Sequence, residues 1–129
     1  MFMTLIGREQ NRIVGRHILV VDDDLSARES ITLLLRIDRH IVTEATNGRE
    51  ALHLVSQQSF DLVVLDFFMP GMLGDELVLN IKRIAPALPI LMVTAYVEKL
   101  TGPDKPVDAV LGKPFAVEEL RSAVAKLLS

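Results

Sequence analysis

The residues of this chain best suited to chemistry stand in four places. Asp22-Asp23-Asp24 form a run of acids, Asp66 closes one aliphatic stretch, Thr94 closes another, and Lys113 precedes a proline. Aspartates offer hard oxygen ligands and a nucleophile, threonine a hydroxyl, and lysine a mobile positive charge. If the acids meet, two carboxylates about 4 Å apart repel by about 4 kcal/mol at an effective dielectric of about 20. A divalent cation relieves that repulsion. Mg²⁺ is the natural candidate, because it takes oxygen ligands and keeps several waters beside one or two carboxylates. Lys113 would add a further positive charge. Such a cluster reads as a divalent-metal site with room for an incoming phosphoryl group. Each residue also has a plain structural use. A lone aspartate after a strand is usually a turn or cap residue, and Asp24 is placed to hold the start of a helix. What favours chemistry is that complementary groups fall at four strand ends of one fold.

The elements that must position these groups are legible as alternating patterns. Five short aliphatic runs read as buried strands: 17–21, 41–45, 62–65, 89–93 and 108–111. Helical stripes lie between them. They are Ala27, Ile31, Leu34 and Leu35, then Ala51, Leu52 and Val55, then Leu77, Ile81, Ile84 and Ala85. Val117, Leu120, Val124 and Leu127 make the last stripe. Ser26 with Glu29, and Asn47 with Glu50, have the spacing of capping boxes. Strand and helix alternate, which implies parallel strands with crossover helices on both faces, a three-layer α/β/α sandwich. The helix after the fourth strand is the weak element. Thr101-Gly102-Pro103-Asp104-Lys105-Pro106 carries two prolines and a glycine, so that helix is expected to start near Ala95 and stop near Leu100. In an open parallel sheet, ligands gather at the carboxyl ends of the strands, and Asp22, Asp23, Asp66, Thr94 and Lys113 all stand there.

Composition narrows the class. A chain of 129 residues suits one domain. Half its residues are hydrophobic but only 5% are aromatic, so the core is aliphatic, as in a parallel sheet covered on both faces. The net charge of −3 and the lack of a long basic run argue against direct nucleic-acid binding. No apolar stretch reaches the roughly 18 residues of a membrane span. The apolar start Met1–Ile6 lacks the basic opening and cleavage site of a signal peptide. Cysteine is absent, which excludes thiol catalysis and fits a reducing cytoplasm. Residues 1–15 read as an N-terminal extension and 16–129 as the domain.

Four stretches together resemble the receiver domains of two-component response regulators. They are Ile18-Leu19-Val20-Val21-Asp22-Asp23-Asp24, Leu62-Val63-Val64-Leu65-Asp66-Phe67-Phe68-Met69-Pro70-Gly71-Met72, Pro89-Ile90-Leu91-Met92-Val93-Thr94-Ala95 and Leu111-Gly112-Lys113-Pro114-Phe115. The resemblance implies the flavodoxin-like, chemotaxis-regulator strand order 2-1-3-4-5. It implies that Asp66 accepts a phosphoryl group from a histidine kinase or histidine phosphotransfer protein. Asp23, Asp66 and the backbone carbonyl of Phe68 would ligate Mg²⁺, with Asp22 acting through metal-bound water. Lys113 would pair with Asp66 and then with a phosphoryl oxygen, while Thr94 would hydrogen-bond another. The Lys113–Pro114 bond is expected to be cis. The resemblance further implies a cytoplasmic switch, not an enzyme acting on an external metabolite. Its output would be a downstream protein or an output domain beyond Ser129, and homodimerisation stays open.

The chain departs from the family at instructive places. Val110 stands where an aromatic switch residue is usual, so Tyr96 is expected to take over part of that role. Phe68 and Tyr96 occupy the two positions that tune hydrolysis, and both are bulky, which predicts a long-lived acyl phosphate. The stretch between Thr94 and Lys113 is a few residues shorter than in the chemotaxis regulator, which predicts an atypical output surface or one that orders only on binding a partner. Two competing functions are a receiver fold governed by protein contacts alone, and a haloacid-dehalogenase-like phosphatase with Asp22 as nucleophile and Asp24 as acid/base.

Overall fold

A computed structural model of the chain describes residues 15–97 and 107–129. The strands are β1 (His17–Val21), β2 (Ile41–Ala45), β3 (Leu62–Leu65), β4 (Ile90–Thr94) and β5 (Ala109–Gly112). The helices among the described residues are α1 (Leu25–Ile37), α2 (Gly48–Gln57), α3 (Gly74–Ile84) and α4 (Val117–Leu128). The five strands form one parallel sheet in the order β2-β1-β3-β4-β5, as expected. Beyond Val97, the weak helix expected to stop near Leu100 lies outside the described residues, as does the extension before Gly15. No described helix is long and apolar enough to cross a membrane.

Alternation along each strand builds two cores. Leu19, Val21, Val63, Leu65, Ile90 and Met92 pack with residues of α2 and α3 on one face. Ile18, Val20, Leu62, Val64, Leu91 and Val93 pack with residues of α1 and α4 on the other. Successive strand side chains point to opposite faces, so a strand buried on both sides reads as one aliphatic run. Each such side chain contributes about 1.5–3 kcal/mol on burial.

Asp24 and Asn47 hold the starts of the first two helices, but neither expected capping box closes. The capping box at Ser26 and Glu29 does not form. α1 begins earlier, with Asp24 as its N-cap accepting from the Ala27 N–H at 2.9 Å. An aspartate just before the helix satisfies an orphan N–H and leaves Ser26 inside the first turn. Asn47 does cap α2, accepting from the Glu50 N–H at 2.8 Å, but the Glu50 carboxylate accepts from the Thr46 hydroxyl instead of closing the box. Two stripes also shift. In α3 the buried face is Leu77, Val78 and Ile81, with Ile84 at 47% exposure. In α4 it is Leu120, Val124 and Leu128, with Val117 at 47% exposure. Ile84 is the last residue of α3 and Val117 the first of α4.

Candidate functional site

The site follows from strand register. Val21 is paired with Ala45 on one side and Leu65 on the other, so Asp22 and Asp66 leave adjacent strands at the same level. The ladder continues one step further: the Asp22 N–H donates to the Ala45 carbonyl and the Asp66 N–H to the Val21 carbonyl, both at 3.2 Å. α1 packs on one face of the sheet and α2 and α3 on the other, so the winding reverses between β1 and β3. A crevice opens at such a reversal. Thr94, the last residue of β4, is paired with Gly112, and its carbonyl accepts from the Lys113 N–H at 2.9 Å. Lys113 is thereby carried to the same end of the sheet. The Lys113–Pro114 bond is cis.

Asp22, Asp23 and Asp66 each offer a carboxylate oxygen, and these lie within 4.8 Å of one another. That set of hard oxygen donors fits a divalent cation of the Mg²⁺ kind. Asp22 is 2% exposed, Asp66 is half-buried and Asp23 faces solvent. The Lys113 ammonium bridges two of the acids, 3.2 Å from Asp22 Oδ2 and 3.5 Å from Asp66 Oδ2. The expected Lys113–Asp66 pair is thus a shared one, with Asp22 the nearer partner. The other oxygen of each acid accepts one backbone N–H: Asp22 Oδ1 from Asp24 at 3.0 Å, and Asp66 Oδ1 from Phe67 at 2.8 Å. Burial pushes the Asp66 carboxyl above its ordinary 3.8, Lys113 pulls it down, and Asp22 adds to the rise. Among the described residues one lysine faces three acids, which leaves the cluster short of positive charge.

The other candidates fall around this centre. Thr94 is 1% exposed, and its hydroxyl oxygen accepts from the Tyr96 N–H at 3.2 Å. Phe68 and Tyr96 meet edge to face, with ring centroids 4.6 Å apart, so the two residues beyond Asp66 and Thr94 form one aromatic contact. Val110 is half-buried in β5 against the core shared with α2 and α3. Asp24 is spent on the α1 cap, apart from the three clustered acids.

Two contributors went unnoticed in the sequence. A Cβ on Gly74 would lie 2.6 Å from the Asp66 carbonyl oxygen and 2.7 Å from the Phe67 Cα. Only glycine lets α3 start so close under the acid. Arg28 donates to the Asp22 carbonyl at 2.8 Å and to Glu44 Oε1 at 3.0 Å. Glycine after a strand–turn signal was a faint clue to the first, and no local pattern marks the second.

Residues 18–125 match the family profile of the response regulator receiver domain. The response regulator MprA of Mycolicibacterium vanbaalenii is 42% identical over 114 residues, which are 86% of this chain and 49% of that protein. MprA of Mycobacterium leprae is 40% identical over 114 residues, again 86% of this chain and 50% of that protein. The chain therefore spans about half the length of these relatives. Among solved structures, the response regulator TrrA of Thermotoga maritima, in complex with Mg²⁺–BeF, superposes with a TM-score of 0.82 at 34% identity, covering 87% of this chain and 98% of that one. The chemotaxis response regulator CheY4 of Vibrio cholerae superposes with a TM-score of 0.81 at 30% identity, covering 88% and 99%.

Proposed function

This chain belongs to the response regulator receiver domain family, and from that premise we propose that Asp66 is its phospho-acceptor. The observation that carries the proposal is the half-buried Asp66 carboxylate held between Lys113 at 3.5 Å and the oxygens of Asp22 and Asp23. The donor would be a phosphohistidine of a histidine kinase or a histidine phosphotransfer protein. An Asp66 oxygen attacks phosphorus, the P–O bond forms as the P–N bond breaks, and the imidazole leaves with that electron pair. Transfer of this kind needs positioning and charge neutralisation more than covalent help.

Asp23, Asp66 and the Phe68 backbone carbonyl would hold Mg²⁺, with Asp22 acting through its water. Mg²⁺, when bound, offsets negative charge on the phosphoryl oxygens and on the acids. Lys113 shifts from its shared position to a phosphoryl oxygen. The Thr94 hydroxyl, already an acceptor for Tyr96, donates its hydrogen to another. Both contacts exist only once the phosphoryl group has arrived, which is how the modification biases the strand ends toward a second arrangement. With Val110 in place of an aromatic switch residue, Tyr96 and its contact with Phe68 would transmit part of that change to a downstream protein or to an output domain of a longer chain.

The test is incubation with a small acyl phosphate and Mg²⁺, followed by mass analysis of the intact chain. One added phosphoryl group, lost in Asp66→Asn, is expected. An unlabelled wild type would favour a domain governed by protein contacts, and label at Asp22 or continuous phosphate release would favour a phosphatase. The aromatic pair makes a second expectation. Phe68 and Tyr96 hinder attacking water, so replacing both with small polar residues should shorten the acyl-phosphate lifetime. An unchanged lifetime would remove them from that role.

A further inference from the structure

Arg28 takes no part in the transfer just described, yet it is built into the back of the site. Its side chain is 12% exposed, and an arginine is rarely so buried without partners. It has two. Nε donates to Glu44 Oε1 on β2 at 3.0 Å, and Nη1 donates to the backbone carbonyl of Asp22 at 2.8 Å. That carbonyl belongs to the peptide unit joining Asp22 to Asp23. A peptide unit is planar and rigid, so holding its oxygen also holds the direction in which the chain enters Asp23. The acids are unequally secured. The Asp22 carboxylate is tied to the Asp24 N–H and to Lys113, and the Asp66 carboxylate to the Phe67 N–H and Lys113. Among the described residues no hydrogen bond holds the exposed Asp23 carboxylate. Its aim rests on the backbone.

We propose that Arg28, anchored by Glu44, is a positioning residue for the cation site, clamping the Asp22–Asp23 peptide so that the Asp23 carboxylate stays directed at Asp22 and Asp66. Arg28 has this role only if the cluster takes a divalent cation, as proposed above. Charge and geometry make opposite demands here. A guanidinium beside a cation site repels the cation, and Glu44 offsets that charge. What remains is the fixed fork of a planar guanidinium, whose separate Nε and Nη1 donors reach the Glu44 carboxylate and the Asp22 carbonyl along set directions, a geometry that a single ammonium nitrogen does not share.

The opposition gives a test with a sign. Mg²⁺ binding to the unphosphorylated chain is measured by calorimetry, with Mn²⁺ binding by electron paramagnetic resonance as a second probe. Arg28→Met and Arg28→Lys are compared with wild type at a temperature where melting curves show all three folded. The clamp predicts that both variants bind about tenfold more weakly, the scale on which partners of metal ligands act. If Arg28 acts only through its charge, Arg28→Met binds more tightly and Arg28→Lys is unchanged, and the clamp is overturned. Affinities within twofold of wild type, with only a lowered melting point, also overturn it by making Arg28 merely structural. Should Arg28→Met not fold, Arg28→Lys alone decides. A wild type that binds neither cation refutes the cation site itself, an outcome separate from failure of the clamp.

Discussion

Two lysines, at opposite ends of the sheet, show how differently one chain uses the same pairing. At the amino end Lys82 donates to the Leu88 carbonyl at 2.7 Å and to Asp108 Oδ2 at 3.0 Å, and the same Asp108 oxygen accepts from the Ile90 N–H at 2.7 Å. There one cation meets one carboxylate, and a buried N–H is satisfied between them. At the carboxyl end Lys113 is divided between Asp22 and Asp66, with Asp23 close by. The first arrangement is balanced and ties β4 to β5. The second is under-neutralised. A balanced pair has nothing to gain from a ligand, whereas a cluster with excess negative charge gains from a cation and then has a lysine to release to a new anion.

Substitutions in each pair should separate the two ends of the sheet most sharply. Lys113→Ala should reduce labelling by a phosphodonor by about 100-fold or more, since in the proposed reaction it would remove a charge that stabilises the transferring group. Asp108→Ala should leave labelling within a few-fold of wild type. Its cost is stability, about 1–3 kcal/mol, because the buried Ile90 N–H loses its acceptor. The exposed part of that ion pair contributes little. Denaturant melts alongside labelling rates check both, and a crossed result would erase the distinction between the two ends.

A subtler expectation concerns the folded state without metal. Burial raises the Asp66 carboxyl above 3.8, so its protonated form is the one the fold favours. That favour is complete below the ordinary carboxylate range and is lost as the pH rises through the raised value. At neutral pH the ionised Asp66 therefore destabilises the metal-free chain. Asp66→Asn should melt higher than wild type, with the gap closing as the pH is lowered. Thermal melts across that range test the sign, and a variant less stable at neutral pH would contradict it.

The smallest effect belongs to the amino end. His40 is 6% exposed with its Nδ1 lacking a partner among the described residues, and burial lowers its pKa below 6.5, outweighing Asp38. The neutral ring is favoured by the fold, so this stability is present above pH 6.5 and is lost as the pH falls through the lowered value. A His40→Asn chain should show a shallower loss of stability in that window. Phosphorylation should not follow this titration if the two ends are as separate as their pairings indicate.

Much of this molecule is legible along the chain. The runs at 17–21, 41–45 and 62–65 fall on β1, β2 and β3, and the later two fall within a residue of β4 and β5. In β1, β3 and β4 burial on both faces leaves an aliphatic signature that needs no partner to be seen, whereas β2, at the sheet edge, carries Thr43 and Glu44. The residue types after those runs, with the family resemblance, placed Asp22, Asp66, Thr94 and Lys113 at one end of one sheet. Helix starts were less legible, because Ser26 and Asp24 both have capping chemistry and only the backbone path out of β1 selects Asp24.

What tertiary structure alone decided lies in contacts between distant residues. Lys113 lies nearer to Asp22, 91 positions away, than to its expected partner Asp66. Phe68 meets Tyr96, Gly74 admits α3 beneath Asp66, and Arg28 spans from α1 to both Glu44 and the Asp22 carbonyl. Periodicity reports which face of an element is buried, a property each segment carries by itself. Which charges share a partner depends on strand register and on how far each helix slides along the sheet, and those are settled only when the whole core packs.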